Sequence, residues 1–280
     1  MKVASLTGVE LAYEEIGGGG HVLLLIHGHP FDHTMWRPQL EPIARLGWRL
    51  IVPDLRGYGA SAGGAVGEKA TLELFARDLI ALLDHLRIDQ AAVAGLSMGG
   101  QIAMEICRLA PTRVRGIVLA ATFPRADTAL GKQQRIATAE RLISEGMSAY
   151  AAEALPKMLA ARSRKAAPEM AEHVLRMMRD TPPTGAAAAL RGRAERPDYS
   201  SVLERFERPA LIVVGDEDTF TTRQDADHMH ALLKDSRLLW LHGVGHMPNL
   251  EQPEAFNTAL SGFLARISRR RSSPDARDAP

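Results

Sequence analysis

Six short apolar runs without a polar side recur along the chain: Val22-Leu23-Leu24-Leu25-Ile26, Leu50-Ile51-Val52, Ala91-Ala92-Val93-Ala94, Ile117-Val118-Leu119-Ala120, Leu211-Ile212-Val213-Val214 and Leu238-Leu239-Trp240-Leu241. A strand with one wet face alternates apolar and polar residues, so runs that are apolar throughout belong in a sheet covered on both faces. Between them lie stretches of helical period, clearest at Leu72, Phe75, Leu79, Leu82 and Leu86, and again at Ile102, Ile106, Leu109 and Ala110 before Pro111. Strands alternating with helices imply right-handed crossovers and a mainly parallel sheet flanked by helices, the α/β class. Ligands bind such sheets at the carboxyl ends of the strands, which is where functional residues are to be sought.

Before the first run, Val9-Glu10-Leu11-Ala12-Tyr13-Glu14 alternates apolar and polar residues, and four glycines at 17–20 follow, the pattern of an edge hairpin. The strand–helix alternation stops between Phe123 and Arg208, where Ala, Arg, Glu and Met dominate. Helices are expected there at 133–144, 149–161 and 168–179, with Pro182-Pro183 and Gly185 as breaks. Residues 123–208 therefore read as an inserted helical cap, and 1–122 with 209–266 as the core. The cap's Met147, Met158, Met170, Met177 and Met178 either pack between its helices or give a pocket an adaptable apolar surface. Residues 267–280, rich in Arg, Ser, Asp and Pro, read as a disordered tail.

A chain of 280 residues that is 46% hydrophobic can bury a large core. Its 34 basic and 33 acidic residues nearly cancel, and the basic surplus sits at the C-terminal end, where Arg266, Arg269, Arg270, Arg271 and Arg277 meet only Asp275 and Asp278. A nucleic-acid binder carries its basic charge on the folded domain, so nucleic acid is not expected as a partner. The single cysteine, Cys107, can form no internal disulfide, and the N-terminus lacks the order of a secretory signal. A cytoplasmic location is the expectation. No apolar run approaches the roughly 18 residues of a membrane span, so no membrane partner is expected either. The sequence is silent on oligomeric state.

Gly95-Leu96-Ser97-Met98-Gly99 directly follows the run at 91–94 and opens the helix that carries Ile102 and Ile106. A serine between glycines at a sharp strand-to-helix turn sits in a strained backbone conformation that side chains two positions away would obstruct. It is exposed at the carboxyl edge of the sheet beside a helix N-terminus, whose partial positive charge favours a developing anion. This spacing in this context marks Ser97 as a nucleophile. A serine hydroxyl needs a base, and of ten histidines His246 is best placed, in Gly243-Val244-Gly245-His246-Met247-Pro248 after the last strand. The imidazole needs an acceptor for its other proton. Asp218 is preferred because it lies further into the loop after the strand at 211–214, with Asp216 as the fallback.

The oxyanion of the reaction needs two backbone donors. Met98 supplies one by position, and His29, in Ile26-His27-Gly28-His29-Pro30, supplies the other, since Gly28 lets that loop approach closely. His27 reads as a buried, loop-shaping histidine. Phe31, Phe123 and Met247 flank the predicted loops and are pocket candidates, with packing as their alternative role. Asp54-Leu55-Arg56-Gly57-Tyr58-Gly59 reads as a loop bordering the site. The glycines at 17–20 lack the lysine and hydroxyl residue of a phosphate loop, and His228 and His230 would point to opposite faces of a helix, so no metal site and no cofactor are expected.

These motifs together resemble the α/β-hydrolase superfamily from about Val9 to Leu264. His27-Gly28-His29-Pro30, Pro53-Asp54-Leu55-Arg56-Gly57-Tyr58-Gly59-Ala60-Ser61, Gly95-Leu96-Ser97-Met98-Gly99-Gly100 and Gly245-His246-Met247-Pro248-Asn249-Leu250-Glu251-Gln252-Pro253 are similar to the branch of enol-lactonases, small carboxylesterases and cofactor-free haloperoxidases. The resemblance implies an eight-stranded, mainly parallel sheet with a cap that selects the substrate. The loop at 27–30 is also similar to that of epoxide hydrolases and haloalkane dehalogenases, but those attack with an aspartate where this chain has Ser97. The expected activity is hydrolysis of a small or medium ester or lactone through an acyl-enzyme. C–C bond hydrolysis, perhydrolysis or a slow-turnover ligand receptor on the same fold stand as alternatives.

Overall fold

A computed structural model of the protein describes residues 1–61 and 67–270. Eight strands form one sheet: β1 (Lys2–Leu6), β2 (Val9–Ile16), β3 (His21–Ile26), β4 (Trp48–Pro53), β5 (Ala91–Leu96), β6 (Val114–Ala120), β7 (Ala210–Gly215) and β8 (Ser236–Leu241). Their spatial order is β1-β2-β4-β3-β5-β6-β7-β8. From β4 to β8 all pairs are parallel, while β1 and β2 run antiparallel at one edge. Every apolar run of the sequence falls on a strand.

The hairpin differs from its expectation. Its two strands are β1 and β2, joined through Gly8 in the left-handed region (φ +79°), whereas the glycines at 17–20 lead from β2 into β3, which β4 separates from it. β1 escaped notice because it is an edge strand with four of its five residues at least partly exposed.

Flanking the sheet are α1 (Arg37–Ala44), α2 (Leu72–His85) and α3 (Met98–Leu109). Between β6 and β7 come α4 (Ala129–Glu145), α5 (Met147–Met158), α6 (Ala161–Ala166), α7 (Pro168–Asp180), α8 (Pro183–Ala194) and α9 (Ser200–Glu204). Three more follow: α10 (Arg223–Leu232), α11 (Pro248–Glu251) and α12 (Pro253–Arg270). The pleat sorts each buried strand between two cores. On β3, Leu24 and Ile26 face the cluster of α2 and α3, while Leu23 and Leu25 face that of α1 and α12. On β7, Ile212 and Val214 go with the first, Leu211 and Val213 with the second. At α2 the stripe Leu72, Phe75, Leu79 and Leu82 is buried, and Thr71 caps the N-terminus by accepting from Leu74 N.

No strand interrupts residues 123–208, and three of the helices there lie where the periodicity places them. α8 is the exception. Pro183 begins this helix instead of breaking the chain, because proline suits the first helical turn, where no intrahelical amide is required. Met147, Met177 and Met178 are buried packing residues. The expected tail also starts too early: α12 continues to Arg270 because Ile267, at 2% exposure, still packs on the core. Residues 271–280 of that tail lie outside the described residues. No helix among the described residues is long and apolar enough to cross a membrane.

Candidate active site

Ser97 stands between β5 and α3 with φ 55° and ψ −114°, a conformation that only glycine adopts without cost. The glycines around it are explained by close approach. A Cβ on Gly95 would overlap the Gly99 backbone, and one on Gly99 would overlap the carbonyls of Ile26 and His27. The turn is pinned by Ser97 N donating to Ala120 O (2.9 Å) and by Thr122 Oγ1 donating to Ser97 O (2.8 Å).

His246 and Asp218 come together from two loops at the carboxyl ends of β7 and β8. Their Nδ1 and Oδ2 lie 2.9 Å apart, with both side chains almost wholly buried. The other oxygen of Asp218 accepts from the amides of Phe220 (2.8 Å) and Thr221 (3.2 Å). Burial alone would raise the carboxyl of Asp218, but attraction and hydrogen bonding by His246, together with those two amides, hold it below its ordinary value. Gly215 allows the two loops to meet, since a Cβ there would overlap the backbone of Val244 and Gly245. His246 N donates to Met158 O (3.0 Å), so the loop is also tied to the end of α5.

Asp216 faces elsewhere. Its carboxylate pairs with His242 Nδ1 (2.9 Å) and accepts from Gly243 N (2.7 Å) at the surface.

Ser97 and His246 line one cavity of about 280 Å³ with His29, Phe123, Tyr150 and Phe220. Among the described residues no hydrogen bond joins Ser97 to His246, a contact that commonly tightens only when substrate binds. The Phe220 ring packs on the imidazole of His246 at 4.8 Å between centroids. Met98 is the first residue of α3, where a helix leaves its amides without internal acceptors. On the opposite side, a Cβ on Gly28 would sit 3.0 Å from Leu96 O, so the loop bearing His29 runs close against the serine turn.

The histidines of that loop are held by the segment after β4. His27 is buried, with Nδ1 2.9 Å from Gly28 O and Nε2 accepting from Leu55 N (2.9 Å). His29 Nδ1 lies 2.8 Å from Tyr58 Oη. Burial, helped by the positive charge of Arg193, holds His29 well below the ordinary histidine value. Asp54 accepts from His33 N (2.7 Å), His33 Nδ1 (2.8 Å) and Ala60 N (2.8 Å). The bordering loop thus shapes the histidine loop through buried polar bonds.

Of the pocket candidates, Phe123 lines the cavity and lies under the Arg196 guanidinium at 5.0 Å. Phe31 and Met247 do not line it. Both are fully buried in the core shared by α1 and α12, because the turns that carry them direct their side chains inward. Arg135, Tyr150, Arg193 and Phe220 line the cavity and were not anticipated. Arg193 and Tyr150 arrive on helices of the segment 123–208, and only long-range packing brings them to Ser97. Five residues of the cavity wall, Arg135, Tyr150, Met158, Leu190 and Phe220, also line a wider cleft of about 580 Å³ beneath α4 and α5.

Three other groups carry ligand or nucleophile chemistry by residue type. Asp32, His33 and Asp54 bring ligand atoms within 4.8 Å of one another, but Asp54 already accepts the three bonds described above. His228 and His230 part company, towards Ser200 and Ser236. Burial pushes the Cys107 thiol up to about 12, which leaves it inert as a nucleophile.

A sequence model of the alpha/beta hydrolase fold matches residues 21–253. The chain is 29% identical over 236 residues to 3-oxoadipate enol-lactonase 1 of Acinetobacter baylyi, covering 84% of this chain and 85% of that one. Its structure superposes on a thermophilic esterase from Thermogutta terrifontis with a TM-score of 0.91 at 35% identity, covering 95% and 99% of the two chains. It superposes on an enol-lactonase from Burkholderia xenovorans with a TM-score of 0.87 at 25% identity, covering 94% and 100%.

Proposed function

Because the chain belongs to the α/β-hydrolase family, we propose that it hydrolyses a small or medium carboxylic ester or lactone, with Ser97 as nucleophile. The observation that carries this reading is the buried His246–Asp218 pair opening onto the same cavity as Ser97 at its strained turn. Similarity to an esterase and to enol-lactonases supports the ester or lactone bond as the target.

In the first step His246 Nε2 takes the Ser97 proton as the oxygen attacks the carbonyl carbon. Asp218 fixes the ring by accepting from Nδ1 and stabilises the imidazolium that forms. The tetrahedral oxyanion is held by the amides of Met98 and His29, and its collapse expels the alcohol, protonated by His246. Water, deprotonated by the same imidazole, then attacks the acyl-enzyme and releases the acid. Every step uses a side chain or amide of the chain itself.

Turnover of p-nitrophenyl acetate and butyrate by the wild type and by Ser97→Ala tests the reading. The expected result is a loss of about 10³-fold or more in kcat for the variant. Equal, negligible rates for both proteins would favour a ligand receptor on this fold and end the esterase reading.

A further inference from the structure

The Ser97 cavity holds a group that hydrolysis of a plain ester does not use. Arg193, on α8, lines the cavity beside Ser97 and His246 yet is only 7% exposed. Among the described residues its side chain makes one hydrogen bond, from Nε to the neutral Gln101 Oε1 at 3.2 Å. The carboxylate of Asp127, which opposes this cluster, is engaged by Arg135 Nε (2.6 Å) and Arg196 Nη1 (2.6 Å). Three guanidinium groups thus share one acid.

A buried charge is ordinarily paired, and a long cationic side chain that lacks a partner ordinarily reaches for water. Arg193 is kept from doing so by the docking of its helix. A Cβ on Gly192 would overlap Ala70 O, one on Gly185 would overlap Gly57 O, and Ala70 N donates to Ala188 O (3.0 Å). Gln101, on α3, orients the guanidinium from the other side. Burial, with the like charges of Arg135 and Arg196, pushes the guanidinium well below its ordinary range. An arginine keeps its proton in proteins, so a guanidinium buried among like charges favours an anion placed beside it.

We propose that the substrate carries a carboxylate in addition to the bond that is cleaved, and that Arg193 receives it inside the Ser97 cavity. The substrate class is then a half-ester of a short dicarboxylic acid, or a lactone bearing a carboxylate, and Arg193 is a specificity residue. The inference rests on the esterase or lactonase reading of Ser97. A carboxylate suits the site because the planar guanidinium can donate two parallel bonds to it. Arg135, on the wall shared by the cavity and the wider cleft, adds a second guanidinium to the lining of both.

The test compares monoethyl esters of malonic to adipic acid with neutral isosteres in which the free carboxylate is an amide, such as ethyl succinamate. At pH 7.5 the wild type is expected to prefer the best half-ester at least tenfold in kcat/KM, the factor of about one charge-assisted hydrogen bond, with KM carrying most of it. In Arg193→Gln that preference ratio falls about tenfold, and Arg193→Lys restores it in part. A wild type that treats acid and amide alike, or a ratio that Arg193→Gln leaves in place, overturns the proposal. Calorimetric titration of Ser97→Ala with succinate, glutarate and their diamides covers the case in which Arg193→Gln does not fold. Binding of a dicarboxylate but not of its diamide is expected, and binding of neither overturns the proposal. Ester turnover without dicarboxylate binding would sink the carboxylate site alone, while dicarboxylate binding without any ester turnover would sink the esterase reading and leave the site standing.

Discussion

Asp216 and Asp218 stand two positions apart on one loop, and their surroundings give them unlike roles. Asp218 is buried, fixed by two amides and bonded to His246, whereas Asp216 meets the exposed His242. Asp218→Asn is expected to lower kcat by about 10⁴-fold, because an amide can donate to the imidazole and hold it in the wrong tautomer. Asp216→Asn is expected to change kcat by less than about threefold, since an exposed ion pair contributes little. Steady-state kinetics on p-nitrophenyl butyrate for both variants decides between them, and a reversed order would reassign the acid. At this scale the sequence was highly legible. Ser97 and Asp218 follow the buried strands β5 and β7 and His246 follows the half-buried edge strand β8, at positions that the strand order carries to one edge. Arg193 was illegible because it lies in an alanine-rich stretch with no neighbouring motif, and its meaning comes only from space, where among the described residues no carboxylate is bonded to it.

Helices show where periodicity stops informing. α2 announces itself through its apolar stripe, but α8 is buried on nearly every side, and its run of buried alanines has no polar face to give it a period. Its docking depends on glycine. Gly192→Ala is expected to destabilise the protein by about 1–3 kcal/mol, as overpacking does, and to lower Tm by several degrees in a thermal melt. An unchanged Tm would mean that α8 can shift away from Ala70 at no cost. The short helical turn before α1 gives a prediction in pH. Burial would lower the His33 imidazole, but the hydrogen bond and charge of Asp54, with Asp32 and Glu14 nearby, leave it raised overall. Asp54 is in turn lowered, burial notwithstanding, by His33 and His27. A raised histidine contributes stability that is full below the unfolded value near 6.5 and is lost as pH rises through the folded value. A lowered aspartate contributes above about 3.8 and loses its contribution in acid. The Tm deficit of His33→Gln relative to wild type should therefore be largest near pH 5 and shrink towards pH 8.5. A deficit that grows with pH would contradict the assignment of charge to this pair.

Across the whole molecule, the sheet fixes where Ser97, Asp218 and His246 arise, but the segment between β6 and β7 closes the cavity over them, and the two parts must keep register. Glu251, on α11, joins them at the histidine loop. Its Oε1 accepts from Gly245 N (2.9 Å) and Met247 N (3.2 Å), bracketing His246, while its Oε2 accepts from Ala160 N (3.0 Å) just beyond α5. Gly245 makes room for this arrangement, since a Cβ there would stand 2.7 Å from Ala160 N and 3.1 Å from Glu251 Oε1. One carboxylate thus holds the histidine loop and the helical segment against each other, and His246 N bonded to Met158 O adds a second tie. Glu251→Ala leaves three amides without their acceptor, at a cost of about 2–4 kcal/mol. Because a small displacement of a catalytic base is expensive, kcat is expected to fall about 10- to 100-fold with a smaller change in KM. Glu251→Gln keeps one acceptor oxygen and turns an NH₂ towards the remaining amide, so both its Tm and its kcat should lie between those of wild type and Glu251→Ala. Thermal melts together with kcat and KM for the three proteins test the arrangement. A lowered Tm with kcat intact would show that His246 is held in place by the Met158 and Asp218 bonds alone, and that the segment and the core keep register without Glu251.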